Sequence, residues 1–166
     1  MVQKRKNLSA AAEEQFLPQL KEARIGIVVS EWNKDVTGAL LEGSIEVLTQ
    51  CGIKNSNIIV EWVPGSYELP LAAQFVIKYS NIDAVICLGS VVQGETRHFE
   101  FICQSVAHNI AQVSTAHNIP VIFGVLTTDN MQQAIERSGG EHGNKGVEAA
   151  VAAVKMIALK QKLKQI

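Results

Sequence analysis

Short apolar runs alternate along this chain with longer stretches of helical period. Residues 24–30 hold the run Ile-Gly-Ile-Val-Val, which breaks at Ser30-Glu31-Trp32-Asn33. From Val36 onward Leu40, Val47 and Cys51 recur on one helical face, and Gly52 stops the helix. Asn33 or Asp35 is its expected cap. Residues 57–63 read as a second strand. Pro64-Gly65-Ser66 then turns the chain into a helix over about 67–80, which tolerates Pro70 because it lies in the first turn. Residues 82–88 read as a third strand. A helix over about 97–117 follows, with Phe99, Ile102, Val106, Ile110 and Val113 on its apolar stripe and Thr96 as N-cap. Residues 120–126 form a fourth strand, after which Asp129 and Gln132 suit a capping box. A short helix ends at Ser138-Gly139-Gly140, and a glycine-rich loop leads to a last helix over about 145–163.

This alternation predicts a three-layer α/β/α sandwich around a four-stranded parallel sheet, flavodoxin-like, with right-handed crossovers. Residues 1–21 read as an N-terminal arm and 22–166 as a single domain. The arm is either unattached or adds a strand to a neighbouring subunit's sheet edge.

Composition narrows the function. Lys and Arg number 15 against 16 Asp and Glu, so no basic excess favours nucleic acid, and Lys4-Arg5-Lys6 reads as a solvated tail. The 3 cysteines, Cys51, Cys87 and Cys103, have no metal-ligand spacing and read as buried thiols in a reducing, cytoplasmic compartment. No apolar run is long enough for a membrane span, and the N-terminus lacks a signal-peptide core.

In a parallel sheet, ligands bind beyond the carboxyl ends of the strands. Trp32 there is either a rim residue packed on the first helix or a flat platform for a planar heterocycle. Gly65 and Ser66 open a helix with unpaired backbone N–H groups. Glu68 either stabilises that first turn or accepts hydrogen bonds from ligand hydroxyls. Residues 89–94, Gly-Ser-Val-Val-Gln-Gly, carry little side-chain chemistry, so their backbone is the recognising surface for an imide-like ring edge. His98 is either a surface histidine or a neutral imidazole at a helix start that carries protons near pH 7. Thr96 caps, contacts ligand, or both, and Glu95 and Arg97 steer charge or solvate the turn. Arg137 and Lys145 bracket a glycine-rich loop that suits a phosphate but matches no Walker A motif.

Taken in order, SEWN, VPGSYELP, GSVVQGETRHFEF, PVIFGVLTTDN and QAIERSGGEHGNKGVEAA resemble the 6,7-dimethyl-8-ribityllumazine synthase family over roughly residues 22–163. The resemblance implies that 5-amino-6-(D-ribitylamino)uracil condenses with 3,4-dihydroxy-2-butanone 4-phosphate, giving the lumazine, phosphate and water. Neither metal nor organic cofactor is then needed. It assigns Trp32 and Asn33 to pyrimidine binding, with Trp32 the stacking residue. Gly65, Ser66, Tyr67 and Glu68 take the ribityl chain, and Ser90, Val91 and Val92 meet the ring edge. Glu95 and Thr96 serve the phosphate-bearing substrate, His98 proton transfer and Arg137 the phosphate. Phe123 and Lys145 come from a neighbouring subunit. The implied assembly is a homo-oligomer with shared sites: a pentamer, extending to a shell of twelve pentamers and to association with riboflavin synthase. Two departures stand out: Gln93 where many members carry arginine, and Trp32 where phenylalanine is common. The rival readings are a flavin or lumazine binder without turnover and a shell protein without chemistry.

Overall fold

The computed structural model describes residues 17–165. Strands β1 (Ile25–Ser30), β2 (Ile58–Val63), β3 (Ala84–Val92) and β4 (Val121–Thr128) form one parallel sheet in the order β2-β1-β3-β4. Helices α1 (Lys34–Gln50), α2 (Leu69–Tyr79), α3 (His98–His117), α4 (Met131–Glu136) and α5 (Lys145–Leu163) complete the three-layer sandwich. A small antiparallel ribbon, β5 (Ser138–Gly140) and β6 (Gly143–Asn144), precedes α5.

The sheet is covered on both faces, which is why its central strands read as unbroken apolar runs. On one face Ile25, Ile27 and Val29 meet Leu40 and Leu48 of α1 and Ala150, Val151 and Val154 of α5. On the other Val28, Val85 and Cys87 meet Leu69 and Ala73 of α2 and Val106 and Ile110 of α3. Leu20, in the stretch read as an arm, is buried and its N–H donates to Cys51 O at 2.9 Å. An arm pairing at residues 1–16 lies outside the described residues. None of the described helices is long and apolar enough to cross a membrane.

Several local expectations are corrected. β3 does not end at Leu88 but continues through Gly89 and Ser90 to Val92, pairing Gly89 with Val125 and Val92 with Thr128. β-branched Val91 and Val92 and an equally prolonged β4 outweigh the turn signal of Gly-Ser. Its pairing with β1 stops at Val29 and Leu88, so the far end of β3 has a neighbour on one side only. The glycine-rich loop is partly a ribbon, with Gly139 (φ 127°) and Gly143 (φ 82°) in backbone regions that favour glycine.

The caps also differ. Asn33 stands at the start of α1 in a left-handed conformation (φ 58°) without a capping hydrogen bond. Its side-chain amide instead donates to Ser90 O at 2.9 Å. Asn130, not Asp129, caps α4 by accepting from Gln133 N at 3.0 Å, while Gln133 Oε1 accepts from Asp129 N. Arg97 holds the cap position of α3, and Thr96 Oγ1 accepts from His98 N at 3.4 Å. Phe99 is half-buried outside both core clusters; Val106 and Ile110 anchor α3. Cys51 and Cys87 are buried as expected, but Cys103 is only half-buried.

The start of α5 is pinned against α1. Asn144 Oδ1 accepts from Gly146 N at 2.8 Å, its amide donates to Ala39 O at 2.9 Å, and Ser44 Oγ donates to Gly146 O at 2.9 Å. These bonds fix where Lys145 and the next turn of α5 stand.

Candidate active site

A cleft of about 810 Å³ opens beyond the carboxyl ends of β1, β2 and β3. Trp32 and Asn33 supply one wall. The loop carrying them is tied to β2 by Glu31 N to Val63 O (2.8 Å) and Trp32 N to Pro64 O (3.3 Å). Trp32 is 72% exposed, so its ring is a face presented to the cleft rather than a core filler. Gly65, Ser66, Tyr67 and Glu68 form the adjoining wall. Ser66 is buried, and among the described residues its hydroxyl finds no partner. A buried orphan hydroxyl is costly unless a water or ligand satisfies it. Gly89 makes room for it, since a Cβ there would stand 2.5 Å from Ser66 Oγ.

Ser90, Val91 and Val92 form the floor. Gln93 N donates to Thr128 O of β4, whereas Ser90 O accepts from Asn33 on the opposite side. Backbone groups alternate along a strand, so the polar groups of Ser90 and Val92 face the side that β1 has vacated. The strand therefore offers main-chain donors and acceptors to the cleft.

His98 is the first residue of α3 and lines the cleft with Phe101 and Ile102. Its side chain is exposed at the start of α3, one turn before Ile102. Phe101 was missed because it lies off the apolar stripe. The available signal was an aromatic three residues after the histidine, hence on the same side of the helix.

The remaining predicted residues do not line this cleft. Glu95 and Thr96 are exposed in the loop between β3 and α3. Phe123 is half-buried on β4, and Arg137 and Lys145 stand at the β5–β6 ribbon. Arg137 and Lys145 share one carboxylate: Arg137 Nη2 donates to Glu148 Oε1 at 2.9 Å and Lys145 Nζ to Glu148 Oε2 at 3.0 Å. The two cations are thus held side by side on Glu148. Glu148, which sequence reasoning missed, is 7% exposed. Burial pushes its carboxyl up, but hydrogen bonds from Lys145 and Arg137 and their charges more than offset this and hold it below the usual glutamate value. The i,i+3 spacing from Lys145 was the available sign.

A second hollow of about 430 Å³ between α2 and α3 shares only Tyr67 with the cleft. The functional gathering is thus the strand-end cleft, and the molecule falls in the class of doubly covered parallel α/β proteins that bind ligands beyond their strand ends. Comparison narrows the class. Residues 22–161 match the family model for 6,7-dimethyl-8-ribityllumazine synthase, and the chain belongs to that family. The 6,7-dimethyl-8-ribityllumazine synthase of Cytophaga hutchinsonii is 55% identical, over 92% of this chain and 95% of its own. That of Porphyromonas gingivalis is 50% identical over 87% and 90%, and that of Flavobacterium johnsoniae 48% identical over 97% and 84%.

Proposed function

We propose that the strand-end cleft is where this transferase of riboflavin biosynthesis condenses 5-amino-6-(D-ribitylamino)uracil with 3,4-dihydroxy-2-butanone 4-phosphate. The observation that carries the proposal is the meeting of the Trp32 face, the one-sided end of β3 and His98 in one cleft of a chain from this family. The pyrimidine stacks on Trp32, and its polar edge meets the main chain of Ser90 and Val92. Asn33 braces that floor. The ribityl chain runs past Gly65, Ser66, Tyr67 and Glu68, where the unpartnered Ser66 hydroxyl and the Glu68 carboxylate take its hydroxyls.

The 5-amino group attacks the ketone, and loss of water gives an imine. Phosphate then leaves from the carbon chain, and the ribitylamino nitrogen closes the ring with loss of a second water. His98 takes and returns the protons of these steps. Holding two reactants together supplies a large share of the acceleration. Glu95 and Thr96 guide the second substrate at the mouth.

Arg137, Lys145 and Phe123 act on this reading from the neighbouring subunit of a homo-oligomer, with the two cations taking the phosphate. Their absence from the cleft of their own chain supports this, as do the exposed apolar side chains Leu71, Phe75 and Tyr79 along α2. The finer assembly in this reading is a pentamer, with twelve pentamers forming a shell and riboflavin synthase as its associate. Three free thiols favour the cytoplasm as its setting.

The test is to supply both substrates and follow lumazine absorbance together with phosphate release. Stoichiometric formation of both supports the proposal. Tight lumazine binding without turnover overturns it in favour of a binder. Sedimentation of the active species tests the assembly.

A further inference from the structure

Glu148 sits in the first turn of α5, nearly out of water, with one cation on each carboxylate oxygen. Arg137 is held at both arms: Nη2 by Glu148 and Nη1 by the carbonyl of His142 at the ribbon turn. Lys145 and Glu148 are fixed in turn because Asn144 and Ser44 pin the start of α5 to α1. Two of the most flexible side chains in proteins are therefore immobilised in one place by a single buried acid.

We infer that Glu148 is a positioning residue that holds Arg137 and Lys145 as one paired receptor for the phosphate of the second substrate; this rests on the phosphate reading of Arg137 given above. An unrestrained arginine and lysine would lose rotamer freedom each time an anion bound, and Glu148 removes that cost beforehand. It does not consume the receptor. A guanidinium carries five N–H donors and an ammonium three, so the bonds of Arg137 to Glu148 and His142 and that of Lys145 to Glu148 still leave donors for phosphate oxygens.

The experiment uses the assembled full-length enzyme and four variants: Glu148→Gln, Glu148→Ala, the double variant Arg137→Ala/Lys145→Ala, and that double variant carrying Glu148→Gln. KM is read for each substrate, with the inhibition constant of inorganic phosphate. Glu148→Gln keeps size and polarity, so it remains informative if Glu148→Ala fails to assemble. The expected result is a rise of about tenfold in both the KM of the phosphate-bearing substrate and the phosphate inhibition constant, with the pyrimidine KM within about twofold. In the Arg137→Ala/Lys145→Ala background, adding Glu148→Gln should change neither constant more than about twofold, because its effect runs through those two cations. A full-sized penalty persisting in that background marks a structural role and overturns the inference. Unchanged or tighter phosphate inhibition in Glu148→Gln overturns it as well. If Arg137→Ala/Lys145→Ala itself leaves phosphate use unaltered, the phosphate reading has failed first, and the inference falls with it.

Discussion

A single methyl group at Gly146 should separate two helices. A Cβ built there would lie 1.9 Å from Leu40 O and 2.6 Å from Leu40 C. A comfortable carbon–oxygen contact is about 3.3 Å, so α1 and α5 must part locally by more than about an ångström. The obstruction is main chain inside the 17-residue helix α1 and cannot swing aside as a side chain would. Overpacking of this kind costs about 1–3 kcal/mol. The Ser44–Gly146 hydrogen bond, buried and 2.9 Å long, would stretch with it for about 1 kcal/mol more. Replacing glycine by alanine in a helix returns somewhat under 1 kcal/mol. The net expectation for Gly146→Ala is a loss of about 2 kcal/mol. Urea unfolding at one fixed protein concentration measures it, since association would otherwise shift the midpoint. Gly38, also in α1, is the internal control: a Cβ placed there would meet nothing within 4 Å, so Gly38→Ala should gain about 0.5–1 kcal/mol. A Gly146→Ala protein within about 1 kcal/mol of the parent would refute the packing argument.

His98→Ala should lower kcat about a hundredfold while the pyrimidine KM stays within about twofold, as steady-state kinetics with folding intact will show; equal losses in both would count against proton transfer. Trp32→Ala should raise the pyrimidine KM about tenfold or more through loss of stacking, and Trp32→Phe should recover most of it. The Glu148 carboxyl lies below its unfolded value, so its ionic contribution to stability is complete above the ordinary glutamate range and disappears as pH falls through the lowered folded value. The stability gap between the parent and Glu148→Gln should therefore be flat near neutrality and close only in acid. Cys87 is buried, with its thiol pushed up to about 12 by desolvation, so alkylation of the native protein should spare it and reach the half-buried Cys103 first; peptide mass spectrometry reads the order.

The strands and helices were legible because burial on both faces of the sheet writes continuous apolar runs into β1 and β3, while the helices keep their own period. The cleft walls followed from the rule that parallel sheets bind at their carboxyl ends. What stayed hidden depended on partners distant in sequence. Gly89-Ser90 looks like a turn until β4 is seen to run alongside. Asn33 looks like a cap until its amide is found on Ser90, 57 positions away. Glu148 has the appearance of an ordinary first-turn acid, and only the fold of the ribbon reveals that Arg137 reaches it across 11 positions. Phe101 escaped because a stripe drawn for the core says nothing about the opposite side of a helix.

The overhang of β3 past β1 also bears on how this site tolerates change. A ligand gripped by main-chain atoms reads features that every residue except proline carries alike. Neutral drift at Val91 and Val92 can then proceed through other β-branched residues without disturbing recognition. Isoleucine or threonine at Val91 and Val92, which pack on the core, should leave ligand binding unchanged, with proline at Val92 as the sharp exception.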